Sequence, residues 1–252
     1  VAGNTVLGEN ALDAAVTGGN NVAIGKNASS ANTSGNQNIA IGRNSLLVNQ
    51  TGIYNVGVGD STLANTTGSF NIAMGQNALY ANTSGTHNVG IGNYSLDANT
   101  TGGLNVAVGP SALGANTTGA NNVAIGNSAL GANTSASNNT AVGKYALQNN
   151  TTGNPNTAVG LQALKTNTTG HSSTAVGSYA LQNQTTAVQN TAVGHDALGN
   201  TTTGSNNVAV GYESLEANTT GYLNVAMGYE SLTSNTEGLS NVAIGGEALR
   251  LN

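Results

Sequence analysis

The sequence predicts an all-β chain wound as a parallel β-solenoid of about fifteen 17-residue turns, and three observations predict it. A glycine closing a motif of the type Asn-Val-Ala-Val-Gly recurs from Gly8 to Gly245 at a spacing of 17 residues, with a single spacing of 16 between Gly59 and Gly75. A fixed period of this length marks a repeat architecture rather than a globule. The motif alternates β-branched residues with a small one and then ends on Gly, which reads as a short strand. The composition agrees: charged residues make up 6%, aromatics 4%, and Trp is absent, so a narrow core of repeated small side chains suits this chain better than a wide one.

Each turn is numbered here from its Asn, so that residues 105–109 hold positions 1 to 5. Position 1 is Asn in every copy but one, where Ser173 stands. Position 2 is Val, Ile or Thr, position 4 is Val, Ile, Leu or Met, and position 3 is Ala except at Val6, Gly57 and Gly90. Positions 2 and 4 share one face of the strand and position 3 takes the other. Positions 6 and 7 vary freely, carry much of the charge, and are expected to face water. Position 9 is Leu in all copies but one, Ser29. The segment leading to it is too short for a stable helix, so a second short strand or a bend is expected there. Positions 12 to 15 mostly read Asn-Thr-Thr-Gly, a turn in which the polar side chains bond nearby backbone and Gly supplies conformational freedom. The one-residue deletion is expected among residues 61–65, before this turn.

Stacking such units gives columns of like residues about 4.8 Å apart, and fifteen of them a rod of roughly 70 Å. The whole of residues 1–252 is one repeat domain on this reading. Leu at position 9 and the aliphatic residue at position 4 are assigned to the core. The Ala column at position 3, represented by Ala107, Ala124, Ala141 and Ala158, is then left as a flat, uncharged strip suited to close packing of another chain.

The motif Asn-Val-Ala-Ile-Gly, at residues 21–25, 122–126 and 241–245, resembles the head repeat of YadA-like trimeric autotransporter adhesins. The fuller pattern Asn-Thr-Ala-Val-Gly, Ala-Leu, Asn-Thr-Thr-Gly, at residues 156–170, is similar to repeats in phage tail fibres. The resemblance covers nearly the whole chain and implies a left-handed β-roll, a side-by-side homotrimer, and an extracellular place on a cell surface or virion. It also implies a role as rigid shaft and adhesive contact surface toward a host-cell surface protein or glycan. This chain departs from the adhesin repeat in its longer turn.

No catalytic constellation accompanies the fold. His87, His171 and His195 sit at three different repeat positions, and the glycines are periodic, so a non-enzymatic chain without cofactor or metal is expected. A net charge of −5 with no basic cluster argues against nucleic acid, and no run of about 18 apolar residues is present to insert in a membrane. The candidate contact residues are the aromatics at variable positions: Tyr54 and Phe70 at position 17, Tyr94, Tyr145 and Tyr179 at position 7, and Tyr212 and Tyr229 at position 6. All are expected to be exposed. Glu213, Glu230 and Glu247, at position 7 of consecutive turns, are expected to splay into solvent. A different function class, ice binding, is suggested by Thr140, Thr157, Thr174 and Thr191, four successive rungs of Thr-Ala-Val with little charge nearby.

Overall fold

The structure is a computed structural model and describes residues 3–251. It is all-β, with no helix among the described residues, and winds as a parallel β-solenoid of about fourteen turns delimited by fifteen three-residue strands. The chain forms two compact units, Val1–Ala124 and Ile125–Asn252. The first holds β1 (Thr5–Leu7), β2 (Val22–Ile24), β3 (Ile39–Ile41), β4 (Val56–Val58), β5 (Ile72–Met74), β6 (Val89–Ile91) and β7 (Val106–Val108). The second holds β9 (Thr140–Val142), β10 (Thr157–Val159), β11 (Thr174–Val176), β12 (Thr191–Val193), β13 (Val208–Val210), β14 (Val225–Met227) and β15 (Val242–Ile244), and β8 (Val123–Ile125) falls at the division.

Within each unit every strand pairs in parallel with the next one in the chain, position against like position. Val89, Gly90 and Ile91 lie beside Val106, Ala107 and Val108, and Thr157, Ala158 and Val159 beside Thr174, Ala175 and Val176. The repeat therefore places each residue type in a column, and a parallel sheet forms with no crossover helix because each turn is its own crossover. The deletion leaves this register intact: β4 and β5 pair as the others do. It lies inside the turn rather than before it. Thr66 occupies the place of the usual Asn and its hydroxyl accepts a hydrogen bond from Asn82 Nδ2 at 3.1 Å.

The strand's two faces are the reverse of the sequence expectation. Ala107, Ala124, Ala141 and Ala158 are 0% exposed, whereas the residues at positions 2 and 4 are half-buried or exposed. The strip assigned to another chain is thus interior, and the position-4 column assigned to the core faces outward. The cause is the thinness of the turn. From Leu46 to Leu232 the Leu column at position 9 is fully buried, as expected, while Leu12 is half-buried and Leu249 exposed; with the small residue at position 8 it occupies the space opposite the strand. A Cβ on Gly90 would lie 3.4 Å from the Leu79 side chain and 3.1 Å from Ser95 Oγ, so inside the stack position 3 has room only for Gly or Ala, and the one larger residue there, Val6 in the first copy, is exposed. Val and Ile do not fit between these layers and are turned out.

The segment from position 6 to position 11 is a chain of turns, with no second strand. Positions 7 and 9 adopt positive φ, as at Ser111 (54°) and Leu113 (50°), and position 17 does so as well, as at Asn121 (58°). N–H groups at odd positions bond between turns: Leu96 donates to the Ala112 carbonyl at 3.0 Å and Tyr94 to the Gln76 carbonyl at 2.9 Å. Those at even positions bond back within the turn: Ala112 donates to Gly109 at 3.2 Å and Asn116 to Leu113 at 3.1 Å. Leu is an unusual residue in the left-handed region, and a β-branched one there is worse because its second γ-atom crowds the backbone. Accordingly no copy has Val, Ile or Thr at positions 7, 9 or 17. Leu130→Ile, which conserves volume, is therefore expected to cost about 2–3 kcal/mol, and Leu130→Met less than about 1.5 kcal/mol. Thermal unfolding of the two variants checks this, and equal melting temperatures would remove the conformational explanation.

Candidate functional site

With Ala turned inward, the outward face of the strands is a uniform, uncharged surface in each unit. In β2 to β7 it consists of Val, Ile and Met alone: Val22 and Ile24, Ile39 and Ile41, Val56 and Val58, and so on to Val106 and Val108. In β9 to β12 the position-2 column changes to Thr140, Thr157, Thr174 and Thr191, each half-buried, beside Val142, Val159, Val176 and Val193. No strand carries a charged residue. Side chains in one column stand about 4.8 Å apart and the two columns about 6.7 Å apart, so the face is a flat lattice of aliphatic and Thr groups.

Behind this face most of the buried polar groups are paired, Ser29 Oγ and Asn49 Oδ1 being the exceptions among the described residues. Asn at position 1 is buried: Asn105 Nδ2 donates to the Gly119 carbonyl at 2.9 Å, and Asn88 Oδ1 accepts from the Asn105 backbone N–H at 3.0 Å. Asn at position 12 closes the same turn, Asn116 Nδ2 donating to Gly119 O at 3.0 Å and to Asn99 Oδ1 at 2.8 Å. These amides form two ladders through the interior and tie each turn to the next. They are framework, spent on joining and closing turns. Their burial also hides most Asn-Thr-Thr glycosylation sequons, whose Asn is the interior one.

Five of the seven aromatic candidates fall into two groups. Tyr54, Phe70 and His87 stack in one column at position 17, with ring centres 5.3 and 4.8 Å apart and interplanar angles of 11° and 15°. In the second unit His195, Tyr212 and Tyr229 stack at 5.4 and 5.5 Å, and Tyr179 meets His195 edge-on at 5.6 Å. Tyr94 is exposed and belongs to neither ladder. Tyr145 and Tyr179 are half-buried rather than exposed. Tyr145 is covered by the Lys144 and Lys165 ammonium groups, 4.8 and 5.8 Å from its ring centre, and Tyr179 by its neighbour His195. Tyr54, Phe70, Tyr212 and Tyr229 are exposed as expected, and stacking on neighbours covers part of each ring and gives them a role in joining turns. The signal was present in the sequence as aromatics one period apart.

The carboxylates at position 7 do not simply splay. Arg250 Nε binds Glu230 at 2.8 Å and its Nη1 binds Glu247 at 3.3 Å, so one cation bridges two turns. The Tyr212 hydroxyl bonds Glu213 and the Tyr229 hydroxyl bonds Glu230, and each carboxylate raises the pKa of its phenol. Burial, reinforced by Glu213, raises the carboxyl pKa of Asp196, with His195 opposing, and the same burial and neighbour raise that of Glu216. Among the described residues no group of three or more His, Cys, Asp or Glu could hold a metal ion, and no helix is long and apolar enough to cross a membrane. No protein-family model, curated protein or solved structure matches the chain.

Proposed function

We propose that this chain is a structural and adhesive fibre segment that associates side by side with copies of itself through the outward Val/Ile/Thr face of its strands. The single observation that carries the reading is that face: aliphatic or Thr at every rung, uncharged, and uncovered within the chain. An extended apolar surface of this kind is costly to leave in water and fits a self-complementary partner. The stoichiometry and hand follow the resemblance to adhesin heads, three chains and a left-handed coil. In such an assembly the stacked turns act as a rigid shaft, and positions 6, 7, 10, 16 and 17 remain outside as a contact surface for a host-cell protein or glycan, at a cell surface or on a virion. Three copies of each contact raise avidity without any new interaction.

Sedimentation equilibrium tests the association. A homotrimer of 24.8 kDa chains gives about 74 kDa. Val108→Lys combined with Val176→Lys places one charge on the outward face of each unit and is expected to yield a folded chain of 24.8 kDa. A wild-type chain that is monomeric at tens of micromolar overturns the proposal. Ala124→Glu does not test the association, because its side chain would enter the core and misfolding rather than dissociation is expected.

A second reading, ice binding, has an observation of its own. Thr140, Thr157, Thr174 and Thr191 stand in register on the outward face, with Val142, Val159, Val176 and Val193 two residues on, and neighbouring turns repeat the pair without a break. A regular lattice of methyl and hydroxyl groups is suited to holding ordered water. Ice recrystallisation assays separate the two: activity in a monomeric wild-type chain, lost in Thr174→Lys, favours the second reading.

A further inference from the structure

The chain has two methionines, Met74 and Met227, and both lie on the outward face, at position 4 of β5 and of β14. They are 42% and 41% exposed. Along its column Met74 stands between Val58 and Ile91, and Met227 between Val210 and Ile244. The residue two back on the same face is Ile72 in one case and Val225 in the other. Each thioether is thus accessible in the free chain and surrounded by aliphatic groups that neither oxidise nor donate hydrogen bonds. The chain has no Cys or Trp, so these sulfurs are its softest sites for a two-electron oxidant.

We infer that Met74 and Met227 make the strand face an oxidation-controlled surface: conversion of their thioethers to sulfoxides by a peroxide blocks self-association. The inference rests on the association proposed above. The step is an oxygen transfer in which a sulfur lone pair attacks the peroxide, the O–O bond breaks as the S–O bond forms, and the departing hydroxide takes up a proton as water. Sulfur is oxidised by two electrons and the peroxide is reduced. The product is polar and chiral where the thioether was apolar and flexible. Against Val58, Ile72 and Ile91, or Val210, Val225 and Ile244, the new oxygen finds no side-chain donor, and an apolar contact that must bury it is weakened. Association in turn covers the sulfurs and slows their oxidation.

The experiment uses the full chain and hydrogen peroxide. The mass of the untreated protein is measured first by sedimentation equilibrium. A monomer at that stage overturns the association and this inference with it. If the untreated chain associates, it is diluted to monomer, oxidised, checked by mass spectrometry for one oxygen on each methionine, and reconcentrated. The dissociation constant is expected to rise roughly tenfold or more. The double variant Met74→Leu/Met227→Leu is expected to associate like the wild type and to be indifferent to peroxide, since Leu for Met conserves volume. Full oxidation with unchanged association, or an equal loss in the double variant, overturns the inference and leaves the association standing.

Discussion

Gly126→Val is expected to destabilise the second unit by about 4 kcal/mol or more, while Asn127→Ser, one residue on, changes stability by less than about 0.5 kcal/mol. Gly126 has φ of +132°, a conformation that L side chains rarely adopt, and a Cβ there would lie 2.5 Å from the Gly143 carbonyl oxygen and 2.6 Å from its carbonyl carbon. Both atoms are backbone of the next turn, held by that turn's own pairing, so nothing flexible can yield. The same approach recurs along the column, with Gly143 against Gly160 and Gly177 against Gly194. Relief therefore requires separating two turns, which breaks the sheet at that rung. Asn127 is half-buried at a variable position, and its backbone carbonyl, which accepts from the Tyr145 N–H at 3.0 Å, survives substitution. Thermal unfolding followed by far-ultraviolet dichroism reads the difference. Similar melting temperatures would mean that the turns are not stacked glycine on glycine.

The repeat, the strand at positions 2 to 4, the buried Leu at position 9 and the parallel stacking were all legible in the sequence, because each rests on a period or on residue chemistry that one turn shows fifteen times. Which strand face is interior was not read correctly. Alternation identifies two faces but does not label them, and the larger hydrophobic residues were assigned inward by size. The deciding fact is the distance across the turn. Its trace in the sequence is faint: position 8 is Thr62 or Ser95 where position 3 is Gly57 or Gly90, but Ser45, Ser214 and Ser231 stand at position 8 in turns that keep Ala at position 3. The left-handed residues at positions 7, 9 and 17 also left a trace, the absence of β-branched side chains, which is weaker because it is a pattern of what never occurs. The candidate site followed from the face assignment. The Thr rungs were correctly placed on one strand face with position 4, and the proposed interface strip moved from the Ala column to the Val/Ile columns once the faces exchanged.

The buried amide ladder makes a second large effect predictable, at the turn where the repeat breaks its own rule. Position 1 is Ser173 instead of Asn, and position 12 of the same turn is Gln184 instead of Asn. The longer Gln side chain reaches across the gap: its Nε2 donates to Ser173 Oγ at 3.2 Å and to Asn167 Oδ1 at 3.2 Å, and its Oε1 accepts from Asn190 Nδ2 at 2.9 Å. Ser173 still accepts from the Asn190 backbone N–H at 3.3 Å, the role that an Asn side chain plays elsewhere. Gln184→Asn alone withdraws the bridge to Ser173 and leaves buried polar atoms unmet, and Ser173→Asn alone crowds an amide against the Gln. Each single change is expected to cost about 2–3 kcal/mol. The double change Ser173→Asn/Gln184→Asn rebuilds the arrangement of the preceding turn, in which Asn156 and Asn167 both donate to the Gly170 carbonyl, at 2.8 and 3.0 Å. It is expected to lie within about 1 kcal/mol of the wild type, a favourable coupling of several kcal/mol between residues eleven positions apart. Additive costs in the double-mutant cycle would mean that the two substitutions are independent, and that the ladder tolerates a gap which the geometry says it must fill.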